Sequence, residues 1–270
     1  MSCSVPEKLE YIFRNHDVAK NGEALITWSN RPAVVFGRHQ NPWLEVNLKY
    51  AKNNEISVAR RHSGGGAVYH DEGNVNFSLL TTHQAHCRPR NLRFVSEALN
   101  NAYKLQRDDM ELQPGNRKCS GTAARIAHGM AYHHFTLLVV ANLKVLSASL
   151  NSPHKNLIET TATRSVRAPA VGFLAQDDQR VNVPSVTDVI VRSFCDKNQG
   201  AEVEVIDVGF EIENNADMRK IYDELCDWKW IYGKSPSFVY RKDDVAATVK
   251  NGIVVESTGS LNAGERFALD

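Results

Sequence analysis

At 270 residues and 42% hydrophobic content the chain can bury a substantial core in one large domain, or in one domain plus a small one, which excludes a disordered protein. Its 32 basic and 31 acidic residues leave a formal charge of +1, so no strong field recruits nucleic acid or a membrane surface, and a charged partner has to be met by a local patch. Five scattered cysteines (Cys3, Cys87, Cys119, Cys195, Cys226) without paired ligand spacing point to free thiols in a reducing compartment and away from a structural zinc site. No apolar run is long enough to span a membrane, and the first six residues form neither an apolar signal core nor an Arg-rich leader.

Residues 8–15 place Leu9, Ile12 and Phe13 at helical spacing, and 24–28 and 33–36 read as short buried strands separated at Pro32. The segment Gly37-Arg38-His39-Gln40-Asn41-Pro42-Trp43 is polar and turn-rich with one large aromatic. It is either a site loop or an ordinary connector with Trp43 tucked beneath it. Strand-like runs at 56–59 and 75–82 then flank Arg60-Arg61-His62-Ser63-Gly64-Gly65-Gly66-Ala67-Val68-Tyr69-His70-Asp71. Three consecutive glycines clear a turn of side chains, so its N–H groups can approach an anion, and the preceding arginines carry the fork that suits phosphate or carboxylate. A plain glycine hairpin with solvent-facing arginines explains the same letters.

Residues 91–106 form an amphipathic helix with Leu92, Val95, Leu99 and Tyr103 on one face. A short strand at 109–112 and the Pro114-Gly115-Asn116 turn deliver Lys118-Cys119-Ser120-Gly121-Thr122-Ala123. Small residues beside Lys118 let its stem lie along a pocket wall with the ammonium toward an oxygen, although a solvated lysine at a strand edge is the simpler reading of these residues alone. In the central strand at 131–140, His133 and His134 point to opposite faces and do not share a metal ion, while Thr136 shares the His134 face. Leu143 to Leu150 continues apolar. Residues 159–167 are hydroxyl-rich with two arginines, able to close over an anion or to lie solvated. A helix starts near Pro184 with Ser185 as cap, a strand follows at 202–208, and a helix at 216–230 turns Met218, Ile221, Leu225 and Trp228 inward. From Phe238 on the chain reads as a β-meander that docks on the main domain or opens a larger unit.

The glycine stretch, the Gly37 to Trp43 loop with Leu44-Glu45-Val46-Asn47, and the Lys118 to Ala123 segment together resemble, in order, the lipoate-protein ligase and lipoyltransferase family. Ala131-Tyr132-His133-His134 and Trp228-Lys229-Trp230-Ile231-Tyr232-Gly233-Lys234 resemble its animal mitochondrial lipoyltransferase type. The resemblance implies an α/β (α+β) fold: a mixed-sheet biotin/lipoate-protein ligase-like catalytic domain at residues 1–235, with a truncated small accessory domain at residues 236–270.

It implies that Arg61 and the backbone of Gly66, Ala67, Val68 and Tyr69 hold the phosphate of an acyl-adenylate, that Tyr69 walls the pocket, and that Lys118 contacts carbonyl and phosphate oxygens as the catalytic residue. Arg107 is a second adenylate contact, Thr136 lies beside the adenylate, Thr163 belongs to a loop covering the ligand, and Asn74 and Asn76 organise the site. No metal ligands are implied. Cys119, beside the key lysine, reads as a buried core residue rather than a thioester nucleophile. The activity implied is lipoyl transfer from lipoyl-AMP, as substrate, to a lysine of lipoyl domains of 2-oxoacid dehydrogenase complexes and glycine cleavage H protein. A full ligase that also uses ATP and magnesium, and a non-catalytic adenylate- or lipoyl-domain-binding protein, are the alternatives. A mitochondrial monomer is expected. Against this family the chain reads short before Arg107 and at both ends, as a truncated or alternatively spliced form would.

Overall fold

The computed structural model describes residues 7–103, 110–206 and 208–269. It opens with α1 (Glu7–Asn15) and α2 (Val18–Asn21), followed by β1 (Ala24–Trp28), β2 (Ala33–Phe36), α3 (Pro42–Glu45), α4 (Leu48–Asn53) and β3 (Ser57–Arg60). Next come β4 (Val68–His70), β5 (Asn74–Thr82), α5 (Arg88–Tyr103), β6 (Glu111–Leu112), β7 (Arg117–Lys118), β8 (Ser120–Ala127) and β9 (Met130–Leu138). The rest is α6 (Leu143–Ser149), β10 (Ile158–Thr160), α7 (Val183–Lys197), α8 (Val208–Asn214), α9 (Ala216–Cys226), β11 (Phe238–Lys242), β12 (Val245–Lys250) and β13 (Ile253–Thr258). No helix among the described residues is long and apolar enough to cross a membrane.

The largest antiparallel sheet has the order β1-β5-β9-β8. Successive strand residues face opposite sides, and β5 and β9 exploit that alternation. Val75, Phe77 and Leu79 of β5, with Phe135 and Leu137 of β9, face α5 and α7, where Val95, Leu99, Val186 and Ile190 complete a core. Phe77 and Phe135 are direct partners across the ladder, their rings stacked with centroids 4.8 Å apart. Burying each such side chain contributes about 1.5–3 kcal/mol. The opposite face of β5 carries Asn74, Asn76 and Ser78, all buried, a polar row in a strand otherwise built for a core. That face looks toward a second sheet, β3-β2-β4, whose central strand β2 is apolar throughout and completely buried.

β3 pairs parallel to β2 and β4 antiparallel to it, on the other side, so the glycine segment crosses over β2 and is not a hairpin between its flanking strands. β1 is only half-buried, being the edge strand of its sheet. The expected strand at 202–208 is absent over residues 202–206, where Val203 and Val205 are exposed and unpaired with any sheet. Helix α7 is capped by Asn182, with Ser185 as its reciprocal partner in a capping box. The helix expected at 216–230 ends at Cys226, and a π-helical turn (Lys229–Gly233) follows, in which the residue buried is Trp230 rather than Trp228.

The C-terminal meander forms as expected, and it gains a strand. β10 pairs with β11 to give a sheet β10-β11-β12-β13, and Phe238, Tyr240, Val249, Val254 and Phe267 pack with Trp43 and Leu44. Trp43 is therefore tucked beneath its loop, with Tyr232, Phe238 and Phe267 around it at centroid distances of 5.3–5.4 Å.

Candidate active site

Between the polar face of the first sheet and the β3-β2-β4 sheet lies a cavity of about 670 Å³. Its floor is a cross-strand row, Trp28 opposite Asn76, Asn76 opposite Thr136 and Thr136 opposite Gly121, with His134 and Ala123 one register step along. The facing wall is Val35 with Gly66, Ala67, Val68, Tyr69 and His70. Leu143, Leu146 and Leu150 of α6 and its C-terminal turn give an apolar side, and Lys118, Ser120, Ser165 and Arg167 a polar one. A chamber of this size with an apolar wall and a few converging cations suits a small amphiphilic anion.

The glycine turn is built around Arg61. This buried guanidinium donates from Nη2 to Gly64 O (2.6 Å) and Gly66 O (2.7 Å), from Nη1 to Val35 O (3.1 Å) and from Nε to Ser63 Oγ (3.1 Å). Burial lowers its pKa to about 10, which leaves it charged at neutral pH. Arg61 thus anchors the turn through its carbonyls and brings positive charge to the cavity wall. Glycine is needed nearby for close approach: a Cβ on Gly37 would sit 2.2 Å from Gly65 O, so the 37–40 loop and the turn touch backbone to backbone.

Arg60, the neighbouring arginine, faces away from the cavity. Its guanidinium is wholly buried and donates to the carbonyls of Trp230 (3.0 Å), Ile231 (2.9 Å), Arg38 (2.7 Å) and Gln40 (2.9 Å) and to Ser235 Oγ (2.8 Å), over the Phe36 ring at 4.6 Å. It is a clamp on two loops, a role invisible in the letters Arg-Arg.

Lys118 ends β7, with an exposed side chain that reaches the cavity lining. Its backbone is fixed on the strand's open side, where Lys118 N–H donates to Ala170 O (3.0 Å) and Gly172 N–H to Lys118 O (3.1 Å). Cys119 points the other way into the core, completely buried, its Sγ donating to Met110 O and its thiol pushed up to about 12 by burial. Such a thiol is no nucleophile at neutral pH.

The structure brings Arg61, Gly66, Ala67, Val68, Tyr69, Lys118 and Thr136 to one cavity. Thr163 is exposed and off the lining, its N–H donating to His39 O, whereas Ser165 and Arg167 of the same loop do line it. Arg107 lies outside the described residues. Asn76, 1% exposed with no partner for Oδ1 among the described residues, also faces the cavity. The polar alternation Asn74, Asn76, Ser78 on a strand of core-forming residues was the signal for it.

Histidines crowd this region. His134 Nε2 lies 2.8 Å from Ser63 Oγ, while His133 packs on the helical side near Asn91 and His86, so the two occupy opposite faces as expected. Among the described residues no group of three or more His, Cys, Asp or Glu is placed to hold a metal ion. Burial lowers the pKa of His62 to about 4 and of His70 and His133 to about 3. In the unfolded chain these rings titrate near the ordinary histidine value of 6.5, so across that window the unfolded state binds more protons and stability rises with pH, reaching its full value above about 6.5. The midpoint of thermal unfolding should therefore fall steadily as the pH is lowered from about 6.5 to 4. A midpoint that stays flat over this range would contradict neutral burial of the three rings.

This arrangement, a mixed α/β fold with a glycine turn and a lysine sharing one amphiphilic chamber, is that of a lipoate-ligase-like catalytic domain. The chain belongs to the lipoyl protein ligase A/B catalytic domain family, which it matches over residues 8–195. It is 38% identical over 224 residues to the mitochondrial lipoyl amidotransferase of Mus musculus, covering 79% of this chain and 58% of that protein. It is 33% identical over 243 residues to lipoate-protein ligase A of Bdellovibrio bacteriovorus, covering 87% and 70%. The chain thus spans 58% of the length of its mouse and human relatives. Among solved structures, P. falciparum LipL1 in complex with lipoate superposes with a TM-score of 0.69 at 25% identity, covering 92% of this chain and 78% of that one. A lipoate-protein ligase A bound with ATP gives 0.59 at 25% identity, covering 82% and 87%.

Proposed function

We propose that this chain is a lipoyltransferase that moves the lipoyl group from lipoyl-AMP to a lysine of a lipoyl-carrier domain, with AMP as leaving group. The observation that carries this reading is the convergence of the glycine turn, Lys118 and an apolar wall on one chamber. A phosphate suits the turn's amides with Arg61 charged beneath them, and an acyl chain suits the leucines of α6. Thr136 and Tyr69 wall the adenylate, Arg107 adds a second contact, and Thr163 acts through the loop it belongs to. The target lysine's neutral amine attacks the carbonyl carbon of the mixed anhydride: a C–N bond forms, the C–O bond to the phosphate breaks, and the amine's surplus proton passes to solvent. Lys118 stabilises the charge that gathers on the carbonyl and departing phosphate oxygens, and positioning of the two reactants supplies much of the remainder.

The acceptors in this reading are lipoyl domains of 2-oxoacid dehydrogenase complexes and glycine cleavage H protein, met by a monomer in mitochondria. Residues 1–235 act as the catalytic domain and residues 236–270 as an accessory unit docked on it. The similarity to bacterial lipoate-protein ligase A supports a second reading, a full ligase that also forms the adenylate from lipoate, ATP and magnesium. Mass spectrometry of a lipoyl domain incubated with this chain and lipoyl-AMP should show one added lipoyl group. An unmodified domain would overturn both readings, and substantial pyrophosphate release from lipoate and ATP would replace the first by the second.

A further inference from the structure

The loop at residues 163–167 meets the glycine turn at two atoms of Ala67: Arg167 Nη1 donates to its O at 3.3 Å, and Ser165 takes its N–H, an amide that an anion also needs. Ser165 Oγ accepts the Ala67 N–H at 2.8 Å and a hydrogen of Gln40 Nε2 at 3.0 Å. Gln40 is itself fixed, because its Oε1 accepts the Gly37 N–H at 2.9 Å and the residue is fully buried. The loop's backbone follows its side chain: a Cβ placed on Gly66 would lie 3.2 Å from Ser165 Cβ and 3.4 Å from Ser165 Cα. From the other side the buried Glu45 carboxylate accepts the Ser165 N–H at 3.2 Å and lies 3.4 Å from Arg164 Nε and 3.5 Å from Arg167 Nη2. A serine hydroxyl is thereby seated on the turn with a carboxylate behind it.

Hydroxyl and phosphate oxygens are both acceptors and compete for the one Ala67 proton. We propose that Ser165 holds the place of a phosphate oxygen on the glycine turn, and that a ligand's phosphate enters by displacing it and drawing the loop off Glu45. This deepens the function proposed above and rests on its placing of phosphate at the turn. The exchange discriminates by charge. An amide bonded to an anion makes a bond roughly twice as strong as one bonded to a neutral hydroxyl, so a phosphate gains by the replacement, while an uncharged ligand leaves Ser165 seated.

Calorimetric titration of the full chain with AMP and, separately, with adenosine tests this. Ser165→Ala should tighten AMP by about threefold to tenfold, the scale of one hydrogen bond freed from competition, and leave adenosine within about twofold. Amide exchange at Ala67 should quicken in the same variant, because its acceptor is gone; an unchanged rate would count against the proposal. AMP affinity that Ser165→Ala leaves unchanged or weakens would overturn the proposal and leave the transferase reading standing. If the wild-type chain binds neither AMP nor lipoyl-AMP, the adenylate reading fails and this inference fails with it.

Discussion

Replacing Lys118 by alanine should lower the rate of lipoyl transfer by about 100- to 1000-fold in kcat while leaving the unfolding midpoint close to that of wild type. The two halves of this expectation have separate grounds. The Lys118 side chain is exposed and its place in the fold is held by its backbone, through Ala170 and Gly172, so truncation opens no core. What is lost is the one cation that β7 delivers to the chamber, where charge gathers on the carbonyl and phosphate oxygens as the anhydride breaks. The loss should fall on kcat more than on KM, because the interaction strengthens as the transition state forms. Arginine should rescue poorly, since a planar fork does not replace a compact ammonium on a flexible stem. Equal transfer rates for wild type and Lys118→Ala would remove the role assigned to this lysine.

Arg60→Leu should cost about 3–5 kcal/mol of folding stability, because several buried carbonyls lose their donor at once. Its five close contacts at 2.7–3.0 Å run to four backbone carbonyls and one hydroxyl, which tie the 37–40 loop to the turn at 230–235 across β3. Burial and the nearby Arg38 lower its pKa to about 10, so the ion is kept charged by those dipoles. Leucine fills part of the space, yet the carbonyls of Arg38, Gln40, Trp230 and Ile231 are left without their donor, at about 1–3 kcal/mol for each that water cannot reach. Trp230 Nε1 also donates to Arg60 O at 2.7 Å, and this bond survives the change because it uses the backbone. Denaturant unfolding reads the effect as a shifted midpoint at constant slope. A loss below about 0.5 kcal/mol would mean that the two loops are held by something else.

What the sequence made legible follows the length scale of each signal. Such patterns are local, so β5 and β9 were readable as strands, with His133 and His134 on opposite faces and Thr136 beside His134, as was the face of α5 that carries Val95 and Leu99. The glycine segment was readable as a turn because three glycines demand a backbone reason. Its path over β2 was not, since the parallel pairing of β3 with β2 is set by packing distant in sequence. The 202–206 segment shows the converse: Glu-Val-Glu-Val has the strand pattern, but no sheet offers it an edge. Cooperative pairing, and not propensity, makes a strand. β10 was missed because Ile-Glu-Thr is too short to alternate and forms only against β11.

Around the chamber the same rule holds. Lys118 stood out by its small neighbours, and Arg61 only through the family resemblance. Ser165 is one hydroxyl among several in a polar run, and only the fold distinguishes it from Thr163 by seating it on Ala67. The adjacent Arg60 and Arg61 have identical chemistry in the sequence, but Arg60, ending β3, binds the carbonyls of Trp230 and Ile231, whereas Arg61, one residue beyond, binds those of Gly64 and Gly66.

A crystal structure of this chain with a non-reactive lipoyl-AMP analogue tests most directly whether the glycine turn holds the phosphate and the acyl carbonyl lies toward Lys118. Phosphate oxygens should lie within hydrogen-bonding distance of the backbone N–H groups of Ala67 and its neighbours, the acyl chain along the leucines of α6, and Lys118 Nζ on the carbonyl and phosphate oxygens. An analogue bound with its phosphate away from the turn, or with Lys118 turned to solvent, would contradict that placement.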